Sequence, residues 1–185
     1  MASACRLIGA RFIHISSDVV FDGVTDRAYV ETDDVAPVHD YGRAKVEAET
    51  RVAGADPDAL IVRTSLLWGD PADPGPQVEM TADTEVTFFS DEFRNPIEVT
   101  VLAAACLELL DRRDITGILH VAGADTVDRL EFAQRICSSI GVDPAAVRGG
   151  PGSVATARPS NIPLDSSKAQ AILMTELRGL REATA

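Results

Sequence analysis

A mainly parallel α/β sheet with helices on both faces is predicted by three observations. Residues 11–15, 59–64 and 117–121 are short apolar runs that read as buried strands. Helical stretches alternate with them. The first strand ends in Ser16-Ser17-Asp18, which places polar groups at the carboxyl end of a strand, where open α/β sheets bind ligands.

The elements follow in order. Residues 18–40 are rich in Asp, Gly and Pro and read as a loop. Ala, Glu, Arg and Lys dominate residues 41–52, which read as a helix with Gly54 as its stop. Residues 69–78 form a Pro/Gly/Asp loop, and 85–89 a short third strand. Helical spacing over 96–110 runs through Val99, Leu102, Ala103, Cys106 and Leu110. Residues 128–140 form an amphipathic helix stopped by Gly141, 142–163 are irregular, and 165–174 form a last helix capped by Asp165 or Ser166. The whole of 1–185 reads as one domain, with 69–98 and 142–185 on its substrate side. So few strands leave a sheet edge unpaired, which calls for further chain, a second copy or a partner to complete it.

Composition excludes several functions. A formal net charge of -12 argues against nucleic acid as a partner. Cys5, Cys106 and Cys137 are far apart and form no Cys/His cluster, so neither a disulfide framework nor a metal site is expected. No apolar run spans a membrane and no secretory leader is evident, so a cytoplasmic protein is expected. His14 and His120 lie inside apolar strands and read as core or near-core residues; His39, near Tyr41, could line a site there but reads first as a loop surface residue. Glu31, Asp33 and Asp34 read as a solvated face, and the late glycines 149, 150 and 152 as a loop.

Tyr41-Gly-Arg-Ala-Lys45 carries the chemistry. Residues four apart share a helix face, so the phenol and the ammonium can act together. A nearby ammonium favours the phenolate form of a phenol and fits it for general acid–base work. Lys45 and Lys168 are the chain's only lysines, which makes the position of Lys45 informative.

Residues 13–23 (IHISSDVVFDG), the acidic-Pro segment 31–37, Tyr41-Gly-Arg-Ala-Lys45, Arg63-Thr64-Ser65, Arg94-Asn95-Pro96-Ile97 and Arg158-Pro159-Ser160-Asn161 together resemble the dTDP-4-dehydrorhamnose reductases. These are extended short-chain dehydrogenases/reductases of the nucleotide-sugar type. The resemblance implies a partial Rossmann-like sheet with a small C-terminal substrate-binding region. It implies NADPH or NADH as cofactor and a 4-keto-6-deoxy nucleotide sugar as substrate. Ser17 then matches the hydroxyl that bonds the reacting carbonyl, Tyr41 the proton donor, and Lys45 the group that tunes Tyr41 and holds the nicotinamide ribose. Ser65 falls on the cofactor side. Asp18, Arg63 and Arg158 fall on the substrate side, the arginines suiting a diphosphate or, equally, an ordinary ion pair.

Three departures stand out. No Gly-x-x-Gly-x-x-Gly turn precedes the first strand, so this chain alone is expected to bind nicotinamide cofactor poorly. Leu66 follows Arg-Thr-Ser where the family has Trp, with Trp68 two residues on, and Val19 stands where the family has Tyr. Residues 91–97 also resemble the regulatory subunit of methionine adenosyltransferase, which implies a non-catalytic partner role as the alternative. An epimerase or dehydratase would need further acid–base groups, and none is identifiable.

Overall fold

The computed structural model describes residues 1–69, 86–152 and 158–185. The predicted loop at 69–78 therefore lies almost wholly outside the described residues. The central sheet has three parallel strands, β1 (Ile13–Ser17), β2 (Leu60–Thr64) and β7 (Gly117–His120), in the order β1-β2-β7. Among the described residues β1 has no strand on its outer side. Short pairs frame the sheet: β3 (Leu67–Trp68) runs parallel to β6 (Ile97–Glu98), β4 (Phe88–Phe89) parallel to β9 (Gly149–Gly150), and β5 (Phe93–Arg94) antiparallel to β8 (Val127–Asp128).

The helices are α1 (Ala2–Leu7), α2 (Asp40–Ala55), α3 (Val99–Leu110), α4 (Arg129–Ser139), α5 (Ser167–Ile172) and α6 (Leu180–Ala183). Strand alternation sorts the sheet into two faces. Leu60, Val62 and Leu119 point to one face and pack with Val101, Leu102, Ala105 and Leu109 of α3 and with Ala169 of α5. The opposite face is polar where α2 covers it. Register aligns Ser16 with Arg63 and Arg63 with His120, a row of three polar residues across the sheet.

Several boundaries differ from the sequence reading. The first strand lies two residues later than 11–15, because Ser16 and Ser17 still pair with Arg63 and Thr64. The loop 18–40 is pinned rather than free: a 3₁₀ turn covers Asp18–Val20, and Tyr29 bridges to Leu164. Gly54 does not stop α2, which continues to Ala55. In place of a helix starting at 96, Ile97 pairs with Leu67 as β6 and α3 starts at Val99. The third strand shrinks to Phe88–Phe89, with 85 outside the described residues. The last helix covers only Ser167–Ile172, and the Asp165 carboxylate accepts from the Ser167 N–H at 2.8 Å. The glycines at 149 and 150 form a strand edge, with the Leu130 side chain close over Gly149.

His120 is fully buried, edge-on to Phe21, with Nδ1 3.1 Å from the Tyr29 carbonyl oxygen. Burial holds its pKa below the ordinary histidine value, and burial does the same for His14. The unfolded chain thus binds protons here that the folded chain does not. The stability from neutral His120 is complete above about pH 6.5 and is lost as pH falls through that value. Melting temperature should therefore drop between about pH 7.5 and about pH 5.5, and drop less in His120→Gln. The Asp33 carboxyl, held at about 2 by the Arg27 hydrogen bond, stays ionised throughout and adds nothing to the slope. An equal slope in the variant would remove His120 as its cause.

Candidate active site

The carboxyl ends of β1 and β2, the first turns of α2 and the segments around Arg94 and Arg158 enclose a cavity of about 850 Å³. That is room for a ligand of nucleotide size. Ser17, Asp18, Tyr41, Lys45, Ser65 and Arg158 all line it, together with His39, Thr64, Glu92, Arg94 and Arg129.

Local sequence explains how α2 presents its side chains. The His39 ring accepts from the Gly42 N–H at Nδ1, 3.0 Å away, and so caps the helix. His39 is thus a capping residue on the cavity wall, not the free loop residue expected. Tyr41 is exposed at 58% and Lys45 Nζ lies 5.6 Å from its ring centroid, so the four-residue spacing brings phenol and ammonium together. Lys45 Nζ also donates to the Ile15 carbonyl at 3.1 Å, which fixes it to the end of β1.

Gly42 permits this approach. A Cβ there would run into the Val19 carbonyl oxygen and the Pro37 ring. Gly42→Ala should cost about 1–3 kcal/mol through overpacking, readable as a lower denaturant midpoint. It should also lift the first turn of α2, and Tyr41 with it, off the turn after β1. Unchanged stability would mean that the two segments separate without cost.

The strand-end hydroxyls are organised by Asp18. Ser17 donates to Asp18 Oδ1 at 3.0 Å and Ser65 to Oδ2 at 2.6 Å. Burial pushes the Asp18 carboxyl up, while the Arg94 guanidinium, 3.8 Å away, and the two serines act against it. Arg94 in turn donates to the carbonyls of Phe93, Pro159 and Ser160 at 2.7–3.2 Å, and so ties the Arg158-bearing segment to the cavity rim. Thr64 Oγ1 is buried without a hydrogen-bond partner among the described residues.

One predicted ligand group is not in the cavity. Arg63 lies on the α2-covered face of the sheet, paired with both carboxylate oxygens of Glu49 at 3.0 and 2.7 Å, and it does not reach the cavity. Strand alternation turns Arg63 to the face opposite Thr64, toward Glu49, while Thr64 at the end of β2 and Ser65 just beyond it line the cavity. Arg94, Arg129 and Glu92 were missed as lining residues. The Arg94-Asn95-Pro96 motif was the available signal, but nothing in its spacing showed that it meets Asp18.

A parallel sheet, a Tyr/Lys helix and strand-end hydroxyls around one cavity define the short-chain dehydrogenase/reductase class. Within it, the chain belongs to the RmlD substrate binding domain family, whose model matches residues 1–185. It is 37% identical over 151 residues to a probable low-salt glycan biosynthesis reductase of Haloferax volcanii, covering 77% of this chain and 50% of that protein. It is 35% identical over 191 residues to a dTDP-4-dehydrorhamnose reductase of Mycolicibacterium smegmatis, covering 99% of this chain and 58% of that protein. The chain thus spans between half and three-fifths of the length of these relatives. The crystal structure of a dTDP-4-dehydrorhamnose reductase from Bacillus anthracis in complex with NADP aligns with a TM-score of 0.84 at 25% identity, covering 99% of this chain and 66% of that one.

Proposed function

We propose that residues 1–185 are the substrate-side half of an NAD(P)H-dependent reductase that acts in the cytoplasm on a 4-keto-6-deoxy nucleotide sugar. The observation that carries this is the convergence of Ser17, Tyr41 and Lys45 on one cavity that also holds Arg94, Arg129 and Arg158. Three guanidinium groups suit a sugar-linked diphosphate. In this reading residues 69–98 and 142–185 form the substrate side, through Glu92, Arg94 and Arg158. The open edge of β1 is where further chain, a second copy or a partner would complete the sheet.

The donor set fits the nicotinamide end of a dinucleotide, with Lys45 and Tyr41 on the ribose, Ser65 nearby, and the Thr64 hydroxyl buried without a partner among the described residues. When bound, that cofactor supplies a hydride. The residues of this chain do the rest. Tyr41 Oη gives its proton to the carbonyl oxygen as that oxygen becomes an alkoxide. The Ser17 hydroxyl, which donates to Asp18 in the free cavity, donates to the same oxygen and stabilises its growing charge. Lys45 keeps positive charge beside the phenol.

Titration of the chain with dTDP-4-dehydrorhamnose tests the substrate half of the reading. Binding is expected, and Ser17→Ala should weaken it by about three- to tenfold, the value of one hydrogen bond. NADPH fluorescence is expected to show no micromolar binding to the same chain, since no Gly-rich turn is there to hold the pyrophosphate. Failure of the sugar nucleotide to bind, or unaltered binding by Ser17→Ala, would overturn the assignment.

A second reading rests on similarity to the methionine adenosyltransferase 2 subunit beta of Rattus norvegicus, 29% identical over 192 residues. It makes the chain a non-catalytic partner subunit, and unaltered turnover on Tyr41 replacement would favour it.

A further inference from the structure

We infer that Glu49 is a positioning residue for the reacting groups, acting through Ser16 on the strand end that carries Ser17; this rests on the functional reading above. Glu49 lies four residues beyond Lys45, on the same face of α2. It is buried, at 6% exposure, and its carboxylate is shared between two strands. Oε1 accepts from Ser16 Oγ at 2.5 Å and from Arg63 Nε at 3.0 Å, and Oε2 accepts from Arg63 Nη2 at 2.7 Å.

Each contact is adjacent to a cavity residue. Ser16 precedes Ser17 and Asp18, Arg63 precedes Thr64 and Ser65, and Glu49 shares its helix with Tyr41 and Lys45. One carboxylate thus joins the three segments that supply the predicted proton donor, the ammonium and the strand-end hydroxyls. Ser16 and Ser17 point to opposite faces of β1, so a tether on the first sets the height and twist of the second. Glu49 and Arg63 lie outside the cavity lining, while Ser16 reaches the cavity wall and so links the buried carboxylate to it. The ion pair alone could have been built from apolar residues at little cost in stability. What apolar packing could not supply is a directed acceptor for Ser16.

A pair of double variants separates the tether from the ion pair. Glu49→Leu with Arg63→Met and Glu49→Gln with Arg63→Met both remove the charges, and only the second keeps an amide oxygen for Ser16. Each is titrated with dTDP and with dTDP-4-dehydrorhamnose, and the quantity read is the extra affinity that the sugar brings. The Gln-containing variant is expected to keep that increment. The Leu-containing variant should lose about three- to tenfold of it, with dTDP affinity unaltered. Ser16→Ala, which leaves the ion pair intact and serves even if neither double variant folds, should lose the same factor. With only two tyrosines, ring-labelled NMR adds a signature: the Tyr41 resonance shifts in the variants that lose the tether.

Retention of the increment by both the Leu-containing variant and Ser16→Ala would overturn the inference. A wild-type chain in which the sugar adds no affinity, or in which Ser17→Ala changes nothing, would instead overturn the functional reading.

Discussion

Replacing Tyr41 with phenylalanine is expected to slow reduction of the keto sugar by about 10²–10⁴-fold, the usual contribution of one positioned acid–base group. The phenol is exposed to the cavity and its ring lies 5.6 Å from Lys45 Nζ, so the change removes one oxygen and little packing. Binding of the nucleotide sugar should stay within a few-fold, and the loss should fall on kcat. The measurement is NADPH-dependent turnover of the keto sugar by the protein that carries residues 1–185, with and without the substitution. A variant as active as the parent would remove Tyr41 from the chemistry and favour the partner-subunit reading.

The pairing of Tyr41 with Lys45 is legible in the sequence because it is local: four residues on a helix fix their relation whatever the rest of the chain does. The strands at the centre were legible for a similar reason, since a parallel sheet covered on both sides demands unbroken apolar runs. The meeting of Ser17 and Asp18 with the α2 residues also followed, because crossover units bring strand ends together.

Arg63 was misplaced because strand alternation decides its direction, and a one-residue offset moves a side chain to the opposite face. An arginine within an otherwise apolar strand could equally have met a ligand or a buried acid. Only the contact with Glu49, fourteen residues earlier in sequence, decides between them. Arg94 and Asp18 are much farther apart in the chain, and no periodicity links them. In the sequence His39 reads first as a surface residue, because a capping imidazole has no distinctive pattern; Ser, Thr, Asp and Asn are the usual caps.

The buried pair at Glu49 and Arg63 yields the second large effect. Arg63→Met alone should destabilise the chain by about 3–5 kcal/mol, because it strands a carboxylate in the space between α2 and the sheet. Arg63 is 2% exposed and also lies 5.2 Å over the Phe21 ring, so no water replaces the lost cation easily. In a domain of this size that is a fall in melting temperature of about 6–20 °C. Adding Glu49→Leu to the same chain should recover most of the loss, because the uncompensated charge is then gone and apolar side chains fill similar volume. Thermal melts of the single and double variants measure both steps. Equal stability of Arg63→Met and the parent would show that solvent reaches Glu49. Failure of the second substitution to restore stability would show that the hydrogen bond from Ser16, rather than the charge balance, holds α2 to the sheet.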